Sequence, residues 1–164
     1  MNNPNLKVWR WTSKGFRTVE GATAIAERAI TTYETSAGWR FKSRPEMIVA
    51  LKEGLPVATF DALKNAMGLS EQALASVTKI VVRTLTRRKK EGRLHTDESE
   101  RLLRIGLLFD RAVEVLGGQE VARQWFATPL TALGQVSPLN YADTEPGARE
   151  VEDLLGRIEY GVFS

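Results

Sequence analysis

The segment that most restricts what this chain can fold into is Thr59–Leu94, TFDALKNAMGLSEQALASVTKIVVRTLTRRKKEGRL. Phe60, Leu63 and Met67 share one side of a helical repeat, with Thr59 as its N-cap and Gly68 placed to end it in the left-handed conformation. Ser70 is a second N-cap, and Leu74, Val77, Val81 and Leu85 carry an apolar stripe onward. Lys79, Arg83, Arg87 and Lys90 recur on the other side at near-helical spacing, flanked by Arg88, Lys89 and Arg93. Seven cations in fifteen residues beside such a stripe describe a helix buried on one side and positive on the other. A duplex phosphate backbone is the commonest partner of such a face. Whether residues 70–91 form two helices or one is open at this level. No Gly or Pro interrupts them, which allows a single helix of about 20 residues, whereas the β-branched residues Val77, Thr78, Ile80, Val81 and Val82 weaken it.

The charge balance changes sign where this segment ends. Residues 59–95 hold eight Lys/Arg against three Asp/Glu, residues 1–58 nine against five, and residues 96–164 six against twelve. A basic half followed by an acidic one predicts two different partners. The 164 residues contain no Cys and one His, which removes disulfides, thiolate metal sites, cysteine nucleophiles and histidine triads. His95 lies in a polar turn and reads as a helix cap or solvated residue. No phosphate-binding glycine loop is present, and Gly117-Gly118 reads as a helix stop. No enzyme activity, metal or cofactor is therefore expected. No apolar run reaches signal-peptide or membrane-span length, so the expected location is the cytoplasm, without a membrane partner.

The remaining elements are short and mostly helical. Residues 1–17 alternate aromatics with cations around Trp9, Trp11 and Phe16 and read as an extended arm that packs on its own domain or a dimer mate. Ala22, Ile25, Ala26, Ala29, Ile30 and Tyr33 form an amphipathic stripe, predicting a helix over 18–34 closed by Ser36-Ala37-Gly38. Ser43-Arg44-Pro45 opens another, with Met47, Ile48 and Leu51 inward and Gly54 at its end. Thr96 is expected to N-cap a helix of about five turns to Leu116, apolar on a wide face from Leu102. A shorter helix buries Val121, Ala122, Trp125 and Phe126 and stops at Pro129. Thr144-Glu145-Pro146-Gly147 opens the last, with Ala148, Val151, Leu154, Leu155 and Ile158 on its face.

Two sets of motifs, in this order along the chain, resemble the Xre/MbcA/ParS antitoxins. GLSEQALASV followed by RTLTRRKKEGRL resembles their helix-turn-helix, with Arg83-Thr84-Leu85-Thr86-Arg87-Arg88 as the start of a recognition helix. Lys79-Ile80-Val81 departs from the glycine-containing turn usual there. Trp125, Pro129-Leu130, Ser137-Pro138-Leu139, Gly147, Val151, Leu155, Ile158 and Gly161 are similar to the pattern of their C-terminal toxin-binding domain. The resemblance covers about Leu55–Ser164 and implies an all-α fold, a helix-turn-helix half followed by a small helical toxin-binding domain. The expected division is an N-terminal extension (1–42), a DNA-binding domain (43–95) and a toxin-binding domain (96–164).

The resemblance also implies the antitoxin of a type II toxin–antitoxin pair, which represses its own operon and occludes its toxin, with a RES-type NAD-consuming enzyme favoured. Lys79, Arg83, Thr84, Arg87, Arg88 and Lys89 are the expected operator contacts, the arginines at 83 and 87 on bases or the groove wall. A homodimer on a two-fold operator is expected, because single helix-turn-helix units bind weakly. Glu152, Asp153, Glu159, Tyr160, Val162 and Phe163 are the expected toxin contacts. The apolar end docks either on the chain's own helices or in the toxin's entrance. Two alternatives stay open: a helix-turn-helix regulator whose C-terminal half only dimerises, and a protein-interaction module whose basic helix is merely solvated.

Overall fold

The structure is a computed structural model that describes the backbone of residues 8–12, 15–19 and 33–34 and the chain in full from Thr35 to Val162. It is predominantly helical, as expected, with one small sheet at the N-terminal end. Strands β1 (Val8–Thr12), β2 (Gly15–Val19), β3 (Tyr33–Glu34) and β4 (Trp39–Phe41) lie in the order β2-β1-β4-β3. The extended arm is thus a hairpin, β1 antiparallel to β2, which joins β4 in parallel with Trp9 opposite Trp39. The helix expected over 18–34 falls largely outside the described residues. At its ends Thr18 and Val19 belong to β2 and Tyr33 to β3, and Ser36-Ala37-Gly38 turns β3 into β4 instead of closing a helix.

Eight α-helices follow: α1 (Arg44–Glu53), α2 (Ala58–Met67), α3 (Glu71–Val77), α4 (Val82–Glu91), α5 (Thr96–Leu116), α6 (Gln119–Ala127), α7 (Pro138–Tyr141) and α8 (Glu145–Tyr160). Most boundaries sit at the capping residues that the sequence marks. The hydroxyls of Ser43, Ser70, Ser137 and Thr144 accept N–H bonds from the first turns of α1, α3, α7 and α8, and Gly68 ends α2 at φ 65°. Two caps shift. The N-cap of α2 is Val57, and Thr59 lies inside the first turn, its hydroxyl donating to the Pro56 carbonyl. The N-cap of α5 is His95, not Thr96, and its backbone N–H donates to the Glu98 carboxylate at 2.8 Å.

Helix α5 is the axis of the molecule: α1, α2, α6 and α8 all pack on it. Leu102, Leu103, Ile105, Leu108, Phe109 and Ala112 are buried along it, and one continuous core runs from Trp39 to Leu155. Phe126 of α6 meets Phe109 edge-on with ring centroids 5.7 Å apart. Gln119 and Arg123 of α6 also donate to the Ala66 carbonyl at 2.7 and 2.8 Å, satisfying an acceptor in the last turn of α2. The sheet docks where α5 has no side chain. A Cβ on Gly106 would lie 3.1 Å from the Trp39 ring, so glycine lets the fully buried indole close onto the helix. Three expected inward residues face out: Ile48, Val81 and Val121 are exposed.

The link between α4 and α5 is ionic. Arg88 is 3% exposed, and its Nε and Nη2 donate to the two carboxylate oxygens of Glu98 at 2.8 and 3.0 Å, while Nη1 reaches Glu91 at 2.7 Å. Arg88, expected among the operator contacts, is therefore corrected to a structural residue. A guanidinium with this fork geometry is held in place and has no free face for DNA. Burial pushes the Glu98 carboxyl up, but the hydrogen bonds from Arg88 and the His95 N–H, with the Arg88 charge, hold it below the usual carboxylate range. The stability this carboxylate contributes is complete at neutral pH and is lost as acid protonates it.

Asp110 has the opposite sign. It accepts the Ser36 N–H of the β3–β4 turn at 2.5 Å, its second oxygen is buried without a partner, and burial raises its carboxyl to about 6. Between about pH 4 and 6 the folded chain keeps a proton that the unfolded chain releases, so this group's effect on stability becomes unfavourable as pH rises through that window.

Two outcomes follow. Glu98→Ala leaves a buried guanidinium uncompensated and should cost about 3–5 kcal/mol in denaturant unfolding, whereas replacing Arg88 and Glu98 together by apolar residues should recover most of it. Asp110→Asn should gain stability over the parent at pH 7.5 and not at pH 4.5. Parallel pH profiles for the two proteins would show that the Asp110 carboxyl is not shifted.

Candidate nucleic-acid and partner-binding interfaces

The basic segment is two helices, not one. Helix α3 ends at Val77, Lys79 takes a left-handed φ of 54°, and α4 begins at Val82. The break replaces a single ladder by local closures. The Thr78 hydroxyl donates to the Leu74 carbonyl at 2.7 Å, and the Ile80 N–H reaches Ala75 at 2.9 Å. Lys79 occupies a conformation that suits glycine, and neighbouring contacts hold it there. Arg101 of α5 donates to the Thr78 carbonyl at 2.6 Å, and the Lys79 ammonium pairs with Asp143, just before α8. The turn also changes the phase of the apolar stripe. Ile80 fills the core and Val81 is left 68% exposed.

Each expected DNA contact now has a place. At about 100° per residue, Val82, Thr86, Lys90, Arg83 and Arg87 fall within an arc of about 140° on α4, and all five are exposed. Leu85 and Arg88 occupy the opposite, buried side. Among the described residues, Arg83 and Lys90 have no carboxylate within pairing distance, and Arg87 has only Glu91 at 3.7 Å. Lys89 lies outside the arc and turns back to Glu71 at 2.8 Å and Asp61 at 3.9 Å, which raise the affinity of its amine for its proton. Lys79 stands in the turn and not on the helix, and Thr84 is half-buried. Arg83 and Arg87 are thus brought together one turn apart, while Lys79 and Lys89 are tied to carboxylates and Arg88 is withdrawn.

The residues expected at a partner interface lie on α8 and just beyond it. Gly147 fixes where this helix starts: a Cβ there would stand 1.9 Å from the Tyr141 carbonyl oxygen, so only glycine lets α7 and α8 meet so closely. Ala148, Val151 and Leu155 bury one face against α5. Glu152 and Glu159, seven residues apart, border the α5 side, where Glu159 pairs with Arg111. Asp153 and Tyr160 form a separate stripe facing away, with Tyr160 77% exposed. The helix ends in a left-handed Gly161, with the Val162 N–H returning to the Arg157 carbonyl at 3.0 Å. Val162 is 56% exposed, so this part of the tail does not pack on the chain's own helices. Phe163 lies outside the described residues.

Sequence spacing missed the groove between α5 and α8. It measures about 350 Å³, with an apolar floor including Leu103, Leu107 and Ala148, and a rim that alternates Arg104, Arg111 and Arg149 with Glu100, Glu145 and Glu152. The cations on this rim come from two helices separated by 28 residues, and only the fold sets them among the carboxylates. His95 serves as a cap, as expected. No group of three potential metal ligands occurs among the described residues, and no described helix is long and apolar enough to cross a membrane.

Comparison with known proteins finds two family domains in succession along the chain. Residues 46–105 match the model of the antitoxin Xre-like helix-turn-helix domain, and residues 111–161 match that of the antitoxin Xre/MbcA/ParS C-terminal toxin-binding domain. An antitoxin Xre from Yersinia enterocolitica is 37% identical over 138 residues, covering 80% of this chain and 93% of its own. One from Photorhabdus laumondii is 35% identical over 131 residues, covering 79% and 88%. A Prs ADP-ribosylating antitoxin from a Sphingobium strain is 25% identical over 129 residues, covering 73% and 81%. With a helix-turn-helix ahead of a toxin-binding helical domain and relatives matched over most of their length, the chain belongs to the Xre family of antitoxins.

Proposed function

We propose that this antitoxin represses its own operon through α4 and silences its toxin by covering the toxin's substrate entrance with the end of α8. Residues 43–95 then act as the DNA-binding part and residues 96–164 as the toxin-binding part. The observation that carries the first half is the exposed α4 arc, where Arg83 and Arg87 stand one turn apart with little internal neutralisation. In a helix-turn-helix this face enters the major groove, where arginine reads guanine edges and flanking cations hold phosphates. Arg83 and Arg87 take the base edges or groove wall, and Lys90 takes phosphate. Lys79 and Lys89 join the phosphate contacts only on release from Asp143 and Glu71. A homodimer supplies the second half-site, since one such unit binds weakly.

The toxin contact rests on the exposed end of α8. Tyr160 and Val162 are large side chains left in water, with Asp153 on the same stripe of α8, Glu152 and Glu159 along its α5 side, and Phe163 continuing the apolar tail. An aromatic anchor inside a charged rim is the composition that dominates interface energy. The toxin class we favour is a RES-type enzyme that consumes NAD, with its mouth blocked and no chemistry performed by the antitoxin itself.

Arg83→Ala and Arg87→Ala should each weaken binding to the promoter DNA upstream of the chain's own reading frame by about 5- to 150-fold, the range for a lost base-reading arginine. Lys90→Ala should reduce the slope of log affinity against log salt by about 0.9. Unchanged affinity in both arginine variants, measured by fluorescence anisotropy, would reject α4 as the reading helix. Deleting Val162–Ser164, which leaves the Gly161 cap in place, should keep Tm and promoter binding and impair toxin inhibition. A chain so shortened that still inhibits fully would move the inhibitory surface to the helices before the tail.

A further inference from the structure

The N-terminal turn of α4 carries an oddity among its cations. Val81 and Val82 are 68% and 39% exposed, both among the exposed large apolar side chains of the described residues. Neither contributes to the core, which α4 meets through Leu85 and the Arg88 pair. Two β-branched residues at this point do nothing for helix formation either. They border an open depression of about 460 Å³ with Gln72 and Ser76 of α3 and Lys79 of the turn. Val82 lies in the same exposed arc as Arg83, Thr86 and Arg87. In a helix-turn-helix the first residues of the second helix are those that reach the base edges.

We propose that Val82, with Val81 beside it, reads the 5-methyl group of a thymine in the operator's major groove, so that an A·T pair is specified next to the base contacted by Arg83. The chemistry leaves little choice of base. A valine side chain neither donates nor accepts a hydrogen bond, so it gains nothing from phosphate oxygens, from guanine N7 and O6, or from the amino groups of adenine and cytosine. The thymine methyl is the one apolar group that the four base pairs display in the major groove. The surrounding cations point to the same partner: Arg83, Arg87 and Lys90 complement a polyanion, and an apolar protein surface would leave all three desolvated. This assignment rests on the operator-binding reading of α4 and deepens it.

The test changes the DNA before the protein. The stretch of promoter DNA protected by the full-length chain is synthesised as a series of duplexes, each with one thymine replaced by uracil, which removes only the methyl. The parent should bind about four-fold more weakly, for the loss of a single buried methyl, to the two duplexes of the series whose uracil falls at the equivalent position of each half-site. Val82→Ala, an exposed substitution that should leave the fold intact, should weaken binding to the thymine duplex by a similar or larger factor. It should also abolish the thymine–uracil difference at that position. Two results overturn the assignment while leaving operator binding standing: a parent indifferent to every uracil, and a Val82→Ala protein that keeps the full difference. A Val82→Ala protein with unchanged promoter affinity and a weakened toxin complex would instead place the valines in a protein interface. No salt-dependent binding to the promoter at all would remove both the operator reading and this one.

Discussion

The pair between Arg88 and Glu98 sets the rest of the arrangement. It joins the last turn of α4 to the first turn of the central helix α5, with both side chains almost fully withdrawn from water. Two buried charges are costly unless matched, and here the guanidinium is filled by Glu98 and Glu91 while Glu98 also takes the His95 N–H. Such a pair adds little net stability over an apolar replacement, but it tolerates no slippage: a shift of one helical position would strand both charges. Once Arg88 is fixed inward, helical geometry fixes the outward face, and Arg83, Thr86, Arg87 and Lys90 present together. The face proposed to read DNA is thus defined by the one arginine in the run that does not belong to it.

The same helix α5 reaches the surface proposed to bind the toxin. Its first turn holds Glu98, its second clamps the Thr78 carbonyl through Arg101, and its far half carries Arg111, paired with Glu159 on α8. Asp143, in the loop ahead of α8, reaches back to Lys79 in the turn between α3 and α4. The basic and acidic halves are therefore not separate beads. Carboxylates from the acidic half restrain cations of the basic half, and the charge swing along the sequence is partly compensated in space. On α4, by contrast, Arg83 and Lys90 keep no carboxylate partner among the described residues, on the face where DNA is proposed to bind.

Much of this was legible in the sequence, and for identifiable reasons. Capping residues act locally, so Ser43, Ser70, Ser137, Thr144 and the terminal glycines mark helix ends without knowledge of the fold. Apolar periodicity identified most of α5 and α8 for the same reason. Local signals stopped at Lys79. A lysine in a left-handed turn carries no glycine signature, and what holds it, Asp143 and Arg101, lies far along the chain. The break moved Val81 from the core to the surface and put Ile80 in its place. Within the basic run, spacing could not distinguish Arg88 from its neighbours, because its burial depends on Glu98 arriving from the next helix. The sheet was missed where two- and three-residue strands give no period to read, as at Tyr33–Glu34 and Trp39–Phe41. The groove between α5 and α8 was likewise invisible, being a property of two helices brought together.

The central claim is that the two partners use two separate surfaces of one rigidly linked chain, and hydrogen exchange followed by mass spectrometry tests it most directly. The full chain would be compared alone, with its promoter DNA, and with an inactive form of its toxin. DNA should slow exchange in residues 70–91 and leave 150–162 unchanged, while the toxin should slow exchange in 150–162 and leave the exposed face of α4 unchanged. Protection of the same segment by both ligands, or toxin protection confined to residues 70–91, would contradict the account.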